Sequence, residues 1–372
     1  MKKIVIFIIS FMLITLVLST ILFKNEKVTN DFINYEYGIK NNEMLSMMLE
    51  TGEGTGEYKT TTSSSWPTEG YKFNSELSKC ENGGDLSWDD TNKIVVMMGT
   101  TSDKCYVYFD VKPKVLLIDY VKSLYTGIQG ENGLYFHDSS LTNGANDNSY
   151  RYAGVDDNVN NFICLRSDAI TCSDSDLFRI IGVFEDKVKI IRAKSIGNKF
   201  WNDLFNEWSG STLEIYLKGE YLNSLGSLAE IISMNTWKVG GGNTTYLEDV
   251  PAIAYQYEVG ISASTTTYDA KIGLMYVSDY GFAADPSAWS TKLSTYSSLS
   301  KNWLYLNSNE WTISRCSNDM SAAFFVSNSG YIGSNLGSNN YAVRPTFFLL
   351  SSVIYDSGDG TFENPIHMSL SS

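Results

Sequence analysis

Few residue types in this chain could carry catalysis: it holds two histidines and five cysteines among 372 residues. His137 stands beside Asp138, a pairing from which a catalytic triad could begin, but no G-x-S-x-G nucleophile turn accompanies it. A structural hydrogen-bonded His–Asp pair is the expectation. Ser298-Leu-Ser-Lys301 has the S-x-x-K spacing of penicillin-binding proteins. The Lys-Thr-Gly element that should follow it is missing, and Lys238-Val-Gly240 stands before it, so the match reads as accidental in a Ser-rich chain. Asp147, Asp156 and Asp157, and again Asp356, Asp359 and Glu363, lie in Asn/Gly loops that could offer oxygens to a hard cation. None keeps a calcium-loop register, and side-chain-to-backbone turns are expected instead. No catalytic residue, metal or cofactor is assigned.

The cysteines are more informative. Cys164 and Cys172 bracket a short polar loop, and Cys80 and Cys105 flank a run of short apolar segments. Neither pair has C-x-x-C spacing, and only His137 and His367 could complete a zinc site. Disulfides Cys80–Cys105 and Cys164–Cys172 are therefore predicted. Cys316 is then either a buried free thiol or a partner that displaces one of these pairings.

Aromatic residues offer the remaining functional surface. Trp201, Trp208, Trp237, Trp289, Trp303 and Trp311 lie in or beside polar segments, where rings next to amides and carboxylates can hold a sugar or a peptide. Core or hairpin anchoring is expected for most of them. Arg315 and Arg344 are expected first to tie down loop carbonyls or a carboxylate and second to meet a ligand. Trp311, Arg315, Tyr341 and Arg344 form the candidate ligand-binding set.

The elements that must position these residues can be outlined from patterning. Residues 71–110 alternate apolar runs with turn dipeptides such as Asn82-Gly83, predicting three or four strands too small to stand without a covalent constraint. Residues 113–127 place Val115, Leu116, Ile118, Val121, Leu124 and Tyr125 at helical steps between Pro113 and Gly127. Strands are predicted at DLFRIIGVF, KVKIIRA, KIGLMYVS, AAFFVS and RPTFFLL, with a helix at YLNSLGSLAEIISMNTW. Residues 24–50 read as partly helical. The run 51–67 is Gly, Thr and Ser with little to bury, so Gly52-x-Gly54-x-Gly56 belongs to a tether rather than a nucleotide loop. Because strands and helices do not alternate regularly, the expected class is α+β with antiparallel or mixed sheet.

The strings 134–184, GLMYVSDYGFAA and VRPTFFLLSSVIYDSGDGTFENP resemble a set of uncharacterised membrane-anchored surface proteins of Gram-positive gut bacteria, over roughly residues 71–368. The resemblance implies an N-terminal anchor, a cysteine-paired β unit and a larger domain. Trp311-Thr-Ile-Ser-Arg315, the strand AAFFV and Val343-Arg344-Pro345 are similar to a domain of unknown function distantly related to the C-type-lectin-like fold of sulfatase-modifying factors. Formylglycine-generating enzymes use a cysteine pair in this region. Only Cys316 stands here, so no catalytic residue carries over.

At the scale of the chain, a net charge of −14 argues against nucleic acid as a partner. Lys2 and Lys3 precede the uncharged run 4–23, and Lys24 follows it. That pattern predicts a single transmembrane helix with residues 1–3 cytoplasmic and the rest outside. The full expectation is a cytoplasmic 1–3, an anchor 4–23, a stalk 24–67, a small disulfide-linked β module 68–112 and a larger α+β ectodomain 113–372. Its partners would be the membrane and a surface glycan or protein ligand. The predicted function is ligand or glycan binding at the cell surface, the alternatives being an envelope enzyme acting on glycan or peptide and a purely structural surface protein.

Overall fold

The computed structural model describes residues 45–63, 65–67, 70–98, 103–166 and 172–370. They form two compact units, the first ending at Pro113 and the second beginning at Lys114. The predicted membrane helix 4–23 lies outside the described residues, and no helix among those described is long and apolar enough to cross a membrane.

In the first unit a four-stranded sheet runs in the order Tyr58–Thr60, Leu45–Glu50, Cys105–Val111, Tyr71–Cys80, beside a hairpin of Asp85–Asp89 and Ile94–Met98. Leu45–Glu50, read above as helical, is instead a strand parallel to Cys105–Val111. Its apolar residues find a sheet partner, and pairing overrides a weak helical pattern in so short a segment. Part of the predicted stalk thus belongs to the β unit. The core is small: Met47, Val95, Val107 and Phe109 are buried, with Trp66, Phe73 and Trp88 packed against them. Cys80 and Cys105 are directly paired across neighbouring strands and form a disulfide. The cross-link constrains a unit whose apolar core could not hold it firmly alone.

The second unit is also built mainly from strands. A ten-stranded sheet contains the path Ile272–Gly273, Thr346–Phe348, Lys187–Arg192, Leu177–Phe184, Phe162–Cys164, Ile366–Leu370, Val353–Ser357, Val115–Leu116. Tyr150–Tyr152 joins the far end of Leu177–Phe184 and pairs in turn with Leu134–Phe136. A five-stranded sheet runs Asn198–Phe200, Asn340–Ala342, Glu310–Arg315, Ala322–Val326, Ile332–Leu336. The run of Leu177–Phe184, apolar except for Arg179 and Gly182, reflects burial on both faces, since every residue but Phe184 is buried.

The α+β expectation is corrected by this content: among the described residues strands make up 36% and helix 19%. The helices are short. Residues 113–127 yield the helix Leu117–Ser123, whose Leu117, Ile118 and Val121 are buried. The predicted helix over 221–237 is broken: Leu217–Tyr221 is a π turn, Gly226–Ile231 is a 3-10 turn, and Asn235–Lys238 is a strand. Gly226 at φ 58° and the demand for strand pairing with Thr267–Ala270 end the helix there. KIGLMYVS divides between the strand Ile272–Gly273 and the start of the helix Val277–Ala283. The membrane-helix and C-type-lectin-like elements of the expected fold receive no support from the described residues.

The second disulfide joins Cys164 to Cys172 across eight positions, at the end of Phe162–Cys164. Cys316 is the free, buried thiol.

Candidate functional site

Three neighbouring pairings in the large sheet bring one row of residues together. Arg151 pairs with Gly182, Gly182 with Lys189, and Lys189 with Phe348. Directly paired residues share a face, so Arg151 and Lys189 flank a glycine on one side of the sheet. A Cβ on Gly182 would lie 2.1 Å from the Tyr150 carbonyl oxygen, a distance only glycine tolerates. Phe184, two residues on, shares that face and stands between the two cations, with the Arg151 guanidinium 4.6 Å and the Lys189 ammonium 5.5 Å from its ring centre.

Asp279, near the start of the helix Val277–Ala283, meets this row. Its Oδ2 accepts from the Tyr276 backbone N–H at 2.8 Å, which caps the helix, and from Lys189 Nζ at 2.5 Å. Its Oδ1 lies 3.8 Å from Arg151 Nη1. Arg151 in turn donates from Nη2 to Asp147 at 2.5 Å and from Nε to Ser149 Oγ at 2.8 Å. The result is an alternating line of charge, Asp147–Arg151–Asp279–Lys189, in which Arg151, Lys189 and Asp279 are each 3% exposed or less. Around the Lys189 ammonium stand the rings of Tyr276 at 4.6 Å, Phe348 at 5.5 Å and Trp237 at 5.6 Å, an arrangement that favours a cation through its ring faces.

This line of charge forms the floor of a cleft of about 420 Å³. Phe184, Tyr255 and Phe348 wall it, and Lys187, Lys238 and Met234 are among the residues around them. The volume lies within the range of small-molecule sites.

Electrostatics follow from burial. Lack of water lowers the Lys189 pKa, and the Asp279 carboxylate opposes that shift. Burial also works against ionised Asp147, but the Arg151 charge and hydrogen bonds from Ser149 and Arg151 prevail and hold it at about 2. Beneath the helix start, Glu258 accepts from the backbone N–H groups of Val277 and Ser278 and from the Ser314 hydroxyl. Complete burial outweighs these donors and raises its pKa to about 7.

The residues singled out from sequence fall elsewhere. Trp311 is fully buried and donates its indole N–H to the Lys199 carbonyl oxygen. Arg344 is buried in an ion pair, with Nε 2.7 Å from Glu310 Oε1, Nη2 2.8 Å from Glu310 Oε2, and Nη2 also donating to the Leu304 carbonyl oxygen at 2.6 Å. Arg315 donates to the Gly240 carbonyl oxygen at 3.0 Å. Tyr341 is half-buried against the rings of Trp311 and Phe325, and its hydroxyl accepts from Asn335. The expected open aromatic face is therefore absent among these four residues: the sheet buries the Trp311 ring, Glu310 and the Leu304 carbonyl hold Arg344, and the half-buried Arg315 spends its Nε on Gly240. Trp201, Trp208, Trp237, Trp289 and Trp303 are likewise buried, and all of these but Trp208 donate to a backbone carbonyl.

His137 is buried, its Nδ1 accepting the Ala145 backbone N–H, while Asp138 turns to Ser140. The expected His–Asp pair is not made, and burial with the nearby Arg151 charge keeps the imidazole well below its usual pKa. Asp359 accepts from the Thr361 backbone N–H and hydroxyl, as the turn reading expects, whereas Asp356 accepts from Ser369 on the neighbouring strand. Cys80, Asp103 and Cys105 lie close enough for a metal, but both sulfurs are committed to the disulfide.

Sequence reasoning missed the charged row. The signal was weak, because Lys187-Val188-Lys189-Ile190 and Ser149-Tyr150-Arg151-Tyr152 both alternate polar with apolar residues, the pattern of a strand with one face in solvent.

Comparison with known proteins finds no matching family model, no matching curated protein and no matching solved structure.

Proposed function

We propose that this chain is an exported binding protein that holds a small ligand in the cleft above Arg151, Lys189 and Asp279, without chemistry on it. The observation that carries this reading is the convergence of buried, hydrogen-bonded charge and ring walls on one cleft of metabolite size. Two disulfides support a site of action in an oxidising compartment, as does the apolar run 4–23 after Lys2 and Lys3. A non-catalytic role is favoured because the cleft residues Ser149 and Ser278 face carboxylates rather than a histidine. Ser149 Oγ donates to Asp147, Ser278 is hydrogen-bonded to Glu258, and the one nearby imidazole uses its acceptor nitrogen on a backbone N–H.

The test is a thermal-shift screen of the full-length chain against a diverse set of metabolites and short oligosaccharides. Compounds that raise the melting temperature should lose their effect in Asn235→Trp, which fills the cleft, and keep it in Arg315→Ala. Bound compounds should be recovered unchanged after long incubation. Stabilisation that survives Asn235→Trp, or conversion of the bound compound, would overturn the reading.

A further inference from the structure

Hydrogen-bond capacity in the cleft is unequally spent. Asp279 Oδ2 already accepts from Lys189 and from the Tyr276 backbone, and Asp147 accepts from the Ser149 N–H, the Ser149 hydroxyl and Arg151. Of the oxygens of Asp147 and Asp279, only Asp279 Oδ1 accepts no hydrogen bond from the described residues, and it faces Arg151. The donors are less fully used. A lysine ammonium carries three N–H bonds, and among the described residues that of Lys189 makes one hydrogen bond, to Asp279. Arg151 Nη1 faces Asp279 Oδ1 at 3.8 Å, beyond hydrogen-bond length, so its N–H bonds are unspent too. Both cations are 2% exposed, and both line the same cleft. Lys187 and Lys238 also line it, and among the described residues neither forms an ion pair. The cleft therefore has four cationic side chains against the carboxylates of Asp147, Glu185 and Asp279, within a chain of net charge −14.

We infer that the cleft selects an anion, a carboxylate-bearing small molecule whose oxygens take the unspent donors of Arg151 and Lys189 while its apolar body lies against Phe184, Tyr255 and Phe348. This rests on the reading of the cleft as a ligand site and adds the chemical class. A carboxylate has two acceptor oxygens for two donor groups held on either side of one aspartate. Lys187 and Lys238 add long-range attraction and retain access to solvent, both being half-buried. Burial strengthens each charge-assisted hydrogen bond, since the competing water is removed. A cationic ligand would meet four like charges against three carboxylates, of which Asp147 is already engaged by three donors.

The test pairs each acid with its uncharged isostere. Benzoate, indole-3-acetate and hexanoate, with benzamide, indole-3-acetamide and hexanamide, are titrated into the full-length chain by calorimetry and ligand-observed NMR, with inorganic phosphate as competitor. At least one acid should bind ten-fold or more tightly than its amide, and Lys189→Met should lose that preference. Lys238→Glu, at a half-buried position that forms no ion pair among the described residues, should weaken the acid several-fold even if Lys189→Met does not fold. Displacement of the acid by phosphate at equal concentration would replace the carboxylate assignment with a general anion seat. Acids and amides binding equally, with both lost in Asn235→Trp, would overturn the anion class and leave the cleft as a ligand site. No binding by any acid or amide would overturn the anion class, and the cleft reading would then stand or fall on the broader screen.

Discussion

Lys189 and Asp279 are each 3% exposed or less and bonded to one another, so removing either leaves a buried charge without its partner. Lys189→Met should cost about 3–5 kcal/mol of unfolding free energy, and Asp279→Leu a similar amount. The double variant should recover much of that loss, because an apolar pair of similar volume avoids the desolvation of both charges. Denaturant titration of the four proteins measures the cycle, and additive losses would refute the coupling. Glu258 gives a pH signature. Its native pKa of about 7 lies above the ordinary 4.5, so the native state holds a proton that the unfolded state has released. Its contribution is complete below pH 4.5, declines as pH rises, and is gone above about pH 7. Over that window the loss is on the order of 3 kcal/mol. His137 acts oppositely: with its pKa well below 6.5, stability falls as pH drops below 6.5, because the unfolded imidazole takes up the proton first. Between pH 4.5 and 6.5 the two slopes oppose and largely cancel, so in Glu258→Gln stability should fall more steeply with falling pH than in the wild type. Identical pH profiles for the variant and the wild type would show that Glu258 contributes no such slope.

At the scale of elements, two covalent links and one glycine hold strands in place. Closing loops of 25 and 8 residues constrains the unfolded chain by about 3.5 and 2.5 kcal/mol respectively, on the chain-entropy account. Cys80→Ala/Cys105→Ala should therefore destabilise its unit more than Cys164→Ala/Cys172→Ala destabilises the other. Peptide mapping without reductant should return both linked pairs, and alkylation of Cys164 before reduction would contradict the second link. Gly182→Ala should be costly despite adding one methyl, since the Cβ meets the Tyr150 carbonyl across the sheet. Separation of Tyr150–Tyr152 from Leu177–Phe184 would displace Arg151 from the charged row, so the variant should lose ligand response along with stability. A fold and a ligand response both unchanged in Gly182→Ala would show that the cleft does not depend on this glycine.

For the molecule as a whole, the two units have very different means of stability. Among the described residues the first has four in its buried apolar cluster and a disulfide, whereas the core of the second spans both of its large sheets. Calorimetry with and without reductant should show a transition that is lost or moved far down in temperature on reduction, and a larger one that shifts less. A single transition shifting as one would contradict this. The strand Ile366–Leu370 is an interior one, lying between Phe162–Cys164 and Val353–Ser357. Deleting residues 361–372 removes an interior strand and should abolish folding of the second unit, measured as loss of soluble protein and of near-ultraviolet dichroism.

Local chemistry was legible in the sequence where it depended on neighbours in the chain. The two disulfides, the helix after Pro113, and the strands Leu177–Phe184, Lys187–Arg192 and Ala322–Val326 all follow from spacing, turn residues and apolar runs. The acidic balance and the apolar N-terminal run are likewise properties of composition. The cleft was not legible, because Arg151, Lys189 and Asp279 are far apart along the chain and meet only through strand register across Gly182. Trp311 and Arg344 looked available for a ligand for the same reason: their acceptors, Lys199 and Glu310, come from other strands. Residue type and spacing determined which side chains carry charge, rings and sulfur. Only the pairing of distant strands decided which donors were consumed inside the fold and which were left facing an open cleft.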